Sequence, residues 1–164
     1  MSWKTGRWIC IVALLLASGG CNRWAYKVPN AAMEPTIKQG DTIWVDHSYY
    51  KTHSVERFDI ITFKASKEGD PNAGNDTRMV KRVIGLSGET VEIRNGKIFV
   101  DDQELKLPFD SIPPRDDLRP ITISEREFFV LGDNRAESFD SRFWSRPTLK
   151  QASIDGKVVE IKHN

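Results

Sequence analysis

The chain has 164 residues, a length that suits one domain. Its 24 Lys and Arg against 23 Asp and Glu exclude a polycationic nucleic-acid arm and an acidic tail, and 39% hydrophobic residues exclude wholesale disorder. The two cysteines, Cys10 and Cys21, both lie near the N-terminus, so the body has neither a disulfide framework nor a cysteine metal site, and His47, His53 and His163 lack zinc-like spacing.

Residues 1–24 read as a signal sequence or membrane anchor, and residues 25–164 as the folded body. Lys4 and Arg7 precede an apolar run, residues 9–17, which is followed by small residues through Gly20. A membrane-spanning helix needs about 20 apolar residues, so the run is short for a span and fits a secretory signal. Cys21 after Gly20 resembles a bacterial lipoprotein processing site and is the candidate acylation site, although Ser18 stands where that pattern usually has Leu. The competing reading is an uncleaved anchor, with Trp3, Trp8, Trp24 and Tyr26 at interfacial depth. Under both readings the leading cations place the body on the outer side of a membrane, with lipids as a partner.

The body reads as mostly β. Short β-branched or aromatic runs at 42–46, 58–64, 79–84, 90–94, 97–101, 121–123, 127–131 and 157–162 are separated by turn residues. The clearest hairpin spans 90–101. Asn95-Gly96 favours a type I′ turn, which sets Ile93 opposite Ile98 and Val91 opposite Val100 on one apolar face. Residues 35–40 and 147–154 offer single helical turns. Residues 66–78 and 107–120, rich in Gly, Asn and Pro, read as long surface loops. Asp46, His47 and His53 read as solvated loop groups, Trp144 as core packing, and Met33 and Trp44 as core or lipid-facing.

Three clusters carry chemistry: residues 28–37 with Gly40-Asp41; residues 81–89, opening Lys81-Arg82; and Gly132-Asp133-Asn134-Arg135 followed by Ser138, Asp140, Ser141, Arg142 and Trp144. Together they closely resemble bacterial type I signal peptidases, membrane-bound serine endopeptidases with a Ser/Lys pair that cut signal peptides from exported preproteins. The resemblance covers residues 25–162. It implies two packed antiparallel sheet regions, no metal or organic cofactor, signal peptides as partners and no nucleic acid. It gives Lys81 the general-base role, which requires a neutral amine. A lysine buried among apolar groups loses its proton more readily, and Lys81 lies between Val80 and Val83. The resemblance gives Ser138 a hydrogen-bonding role near that lysine and has Asp140 hold the local arrangement with Arg142. Asp133, Asn134 and Arg135 form a charged turn under the site. Taken without the motif, that turn reads as a surface ion pair worth about 0–1 kcal/mol.

One departure matters. The family reads Ser-Met-x-Pro-Thr with the serine as nucleophile; here the segment is Ala32-Met33-Glu34-Pro35-Thr36. A methyl group cannot attack a carbonyl. Two places earlier, where the family often has a serine that helps stabilise the oxyanion, stands Asn30, whose amide can donate a hydrogen bond. Three explanations follow: an engineered Ser→Ala trap, a paralogue that binds signal peptides or modulates an active peptidase without cutting, or a nucleophile relocated to Thr36 or Ser87. A self-cleaving repressor relative shares the Ser/Lys chemistry, but a helix-turn-helix pattern is missing.

Overall fold

The computed structural model describes residues 22–65, 77–109 and 116–164, together with the backbone of Ala13–Leu14. Cys21 and nearly all of the apolar run 9–17 lie outside the described residues, as does most of the 66–78 loop. Among the described residues no helix is long and apolar enough to cross a membrane.

In chain order the strands are β1 (Ala13–Leu14), β2 (Arg23–Lys27), β3 (Thr42–Asp46), β4 (Ile60–Lys64), β5 (Arg78–Gly85), β6 (Thr90–Arg94), β7 (Lys97–Val100), β8 (Gln103–Glu104), β9 (Leu118–Thr122), β10 (Glu127–Leu131), β11 (Leu149–Lys150) and β12 (Ile154–Lys162). Among the described residues they form two antiparallel sheets. One has eight strands in the order β1-β2-β3-β12-β4-β5-β10-β11, and the other has four in the order β8-β7-β6-β9. The mostly β fold in two antiparallel sheets is the architecture anticipated from the sequence.

Alternation explains the strands that border solvent. In β3, Ile43 and Val45 point inward while Thr42, Trp44 and Asp46 are half-buried. In the β6–β7 hairpin, Val91 pairs with Val100 and Ile93 with Ile98, the register that the Asn95-Gly96 turn predicts. Both turn residues have positive φ, 51° and 78°, as a type I′ turn requires. β10 lies inside the sheet and is buried along its whole length.

Strand β5 is the spine of the molecule. Val80 joins a cluster with Tyr26, Val28, Met33 and Ile43. Val83 joins Ile61, Phe63, Val130 and Trp144. Ile84 joins Val91, Ile93, Ile98 and Phe129, the cluster that binds the two sheets together. Three cores therefore hold one strand in place, and the side chains between these anchors have fixed positions.

Some local expectations hold and others are corrected. Residues 23–27 form β2, paired along its length with β3. Tyr26 is buried in the core rather than lying at interfacial depth. Its hydroxyl meets His47 Nε2 at 2.9 Å, and His47 Nδ1 faces the Asp155 carbonyl oxygen at 2.9 Å, so His47 is a tied core-edge group and not a solvated one. Met33 and Trp144 are core, and Trp144 meets the Phe63 ring edge-on. Residues 35–40 form only turns, and Gln151–Ser153 forms one 3-10 turn.

Candidate active site

Lys81 sits on β5 opposite Ile61 of β4. It is 4% exposed, and its Nζ donates to the Val80 carbonyl oxygen at 3.1 Å. Burial drives its pKa down from 10.5 to about 8; Asp140 pulls it up, Arg142 pushes it further down and Asp133 pulls it up again. Loss of water outweighs these charges, so the amine gives up its proton near pH 8, and a minor fraction of it is already neutral at physiological pH.

The segment carrying Ala32 is a closed loop. Val28 N–H donates to the Asp41 carbonyl oxygen and Gly40 N–H to the Val28 carbonyl oxygen, both at 2.8 Å. Inside it, Val28, Met33 and Ile37 are buried and pin the loop onto the sheet through their apolar side chains. The Ala32 carbonyl oxygen accepts from Asn134 N–H at 3.1 Å. A Cβ at Gly132 would lie 2.2 Å from Ser138 Oγ and 2.5 Å from the Ala32 carbonyl oxygen, so only glycine lets these three segments meet. Ala32 and Lys81 line one cleft, walled by Val28, Met33, Met79 and Phe139. The cleft is narrow, with a volume of about 70 Å³.

In the Asp133-Asn134-Arg135 turn both charged side chains are buried and Asn134 is half-buried, which corrects the surface ion-pair reading. Asp133 takes two hydrogen bonds from Arg82, at 2.8 and 2.6 Å, and a third from the Thr36 hydroxyl at 2.5 Å. This ties the Ala32 loop to β5 next to Lys81. Arg135 and Arg142 converge on Asp116: Arg135 Nη2 donates to both carboxylate oxygens, at 2.6 and 2.8 Å, and Arg142 Nη1 donates to Oδ2 at 2.6 Å. Burial alone would raise the Asp116 carboxyl, but the two guanidinium groups outweigh it and hold the carboxyl below the ordinary range. Asp140 grips Arg142 with both oxygens, at 2.8 and 2.9 Å, and accepts from Gly132 N–H at 3.0 Å.

Lys81, Ala32, Asn30, Asp133, Asn134 and Asp140 are thus drawn to one place, with Arg135 and Arg142 behind them. Ser138 is also there, but among the described residues its buried Oγ has no hydrogen-bond partner, Lys81 included. Asn30 departs from the donor role expected of it: its Oδ1 accepts from Ala32 N–H at 3.2 Å. The two candidate relocated nucleophiles are committed elsewhere, Thr36 to Asp133 and Ser87 to the Glu127 carbonyl oxygen at 3.0 Å. Arg82 and Asp116 were not singled out from the sequence. Arg82 stands beside the chosen lysine in the same motif, whereas Asp116 lies in a Pro-rich stretch and gives no local signal.

The family model described as signal peptidase, peptidase S26, matches residues 3–162. The chain belongs to the signal peptidase S26 family. It is 36% identical over 135 residues to a signal peptidase I of Leptolyngbya laminosa, covering 80% of this chain and 64% of that relative. It is 31% identical over 152 residues to signal peptidase I V of Bacillus subtilis (strain 168), covering 84% of each. The chain thus spans less than two thirds of the Leptolyngbya relative. Among solved structures, a signal peptidase I from Enterococcus faecalis V583 superposes with a TM-score of 0.52 at 32% identity, over 65% of this chain and 98% of that one. The two-sheet body is thus similar in fold to that signal peptidase I.

Proposed function

We propose that this chain carries the site of a signal-peptidase-I-type endopeptidase, built to process signal peptides of exported preproteins, and that Ala32 halts it at the binding stage. The supporting observation is a lysine amine, buried and shifted to about pKa 8, lining the same cleft as residue 32. With a serine at 32, neutral Lys81 would take the hydroxyl proton as the oxygen attacks the peptide carbonyl. The lysine would then return the proton to the departing amine, leaving an acyl-enzyme for water to hydrolyse. The narrow cleft selects small side chains, such as an Ala-x-Ala sequence before the cut. Asp140 and Arg142 hold the field around Lys81, and the Asp133 turn holds the loop. In this reading residues 1–24 deliver or anchor the body at the outer face of a bacterial cytoplasmic membrane, with Cys21 as the candidate acylation site, and residues 25–164 engage the substrate there.

The test is a preprotein-processing assay with the full chain, Ala32→Ser, and Ala32→Ser combined with Lys81→Ala. The expected outcome is no measurable cleavage by the chain as it stands, cleavage by Ala32→Ser, and its loss in the double variant. A missing nucleophile leaves only residual catalysis, orders of magnitude below an intact site. Calorimetry with a signal peptide should detect binding to the unaltered chain. Equal cleavage by all three proteins, or none by Ala32→Ser, would refute the proposal.

A further inference from the structure

The backbone N–H at the nucleophile position is a recurrent oxyanion donor in acyl transfer, because it points at the carbonyl that the nucleophile attacks. At residue 32 that N–H is already occupied. Asn30 Oδ1 accepts it at 3.2 Å, across two residues of the same loop. An N–H bonds only to the oxygen end of a carboxamide, so the Asn30 amide nitrogen faces away. The other end of residue 32 is fixed by the bond from Asn134 N–H and by the tight approach of Gly132. The N–H cannot be re-aimed while those contacts hold, so the donor is freed only when the Asn30 side chain leaves.

We infer that Asn30 is a second lock on this site: its carboxamide oxygen competes with the substrate for the backbone donor at residue 32. The inference rests on the peptidase reading above and adds to it. Asn30 is exposed, so its side chain can swing into water without disturbing the core. Opening the lock forfeits one net hydrogen bond, which bounds its effect at about tenfold in rate. Ala32 removes the reaction; Asn30 sets a smaller factor on any serine restored there.

The experiment uses the full chain with Ala32→Ser and varies residue 30, with a preprotein carrying Ala-x-Ala before the cut as substrate. Adding Asn30→Ala should raise kcat up to about tenfold over Ala32→Ser alone, with little change in KM. Adding Asn30→Asp should lower kcat, because a charged acceptor holds the N–H more tightly. Equal rates would overturn the inference, as would a slower Asn30→Ala variant, which would mean that the carboxamide turns round to donate. A second arm needs no catalysis. In the chain with Ala32 intact, Asn30→Ala should speed hydrogen exchange of the residue-32 amide and leave the urea midpoint unchanged. It should also tighten binding of a peptide ending in Ala-x-Ala with a free carboxylate, and not of the same peptide ending in an amide. If no protein carrying Ala32→Ser cleaves, the peptidase reading has failed; unchanged exchange at residue 32 would overturn the lock itself.

Discussion

Replacing Lys81 with Met tests the central electrostatic claim through stability, with no substrate involved. In the unfolded chain the amine keeps its proton up to the ordinary 10.5, whereas in the folded chain it gives the proton up at about 8. Below pH 8 the fold holds a buried ammonium and is destabilised by it. Between 8 and 10.5 the unfolded chain binds a proton that the folded chain does not, so stability rises with pH and the penalty disappears. At 1.36 kcal/mol per pKa unit, the gap is worth roughly 3 kcal/mol. Met has almost the same volume and no charge, but it forfeits the bond to the Val80 carbonyl oxygen, about 1 kcal/mol. The variant should therefore be more stable than its parent by roughly 2 kcal/mol at pH 7 and no more stable at pH 10. Urea unfolding at pH 7, 8.5 and 10 reads this directly, provided that the m-value stays constant. Comparing the two proteins at each pH cancels every other titrating group. A variant less stable at pH 7, or a difference that does not change with pH, would refute the reasoning.

Other outcomes follow from the packing and the ion pairs. Gly132→Ala places a methyl against Ser138 and the Ala32 carbonyl oxygen and should destabilise by about 1–3 kcal/mol, read as a lower melting temperature; a change under about 0.5 kcal/mol would refute the close approach. Asp133→Ala strands Arg82 in the interior and should cost about 3–5 kcal/mol in urea unfolding. Lys97→Ala, which breaks an exposed pair with Glu104, should cost about 0–1 kcal/mol, and equal losses would contradict the burial argument. Burial raises the Asp155 carboxyl, but bonds from His47 and Arg78 outweigh this and hold it at about 2. Its contribution is present above the ordinary carboxylate pKa and lost as pH falls from about 4 to 2. Asp155→Asn should flatten the acid limb of the stability profile over that window; an unchanged limb would show that the carboxylate carries none of it.

What the sequence disclosed followed from local periodicity. The bounds of β3, β6 and β10 match the apolar runs because alternation and β-branching act within a few residues. The hairpin register followed from one Asn-Gly pair. β8 and β11 escaped notice because two residues cannot show a period, and β2 because Trp24 and Tyr26 read equally well as interfacial aromatics. At the site, residue identities were legible through the motif, and their bonding was not. Arg82 and Asp133 stand 51 positions apart, and Asp116 reaches Arg142 across 26. Such pairings depend on the completed topology. The orientation of Asn30 is local but turns on a single hydrogen bond, and its residue type permits both donor and acceptor roles.

The way the sheets end has a consequence for life in a crowded compartment. Among the described residues β1, β8 and β11 are two residues long, and the remaining border strand, β9, carries Arg119 and Pro120 on its exposed stretch. Short margins, a cation and a residue without an N–H give a foreign backbone little to zip onto. Copies of this molecule should therefore tolerate high local concentration without growing into fibrils edge by edge.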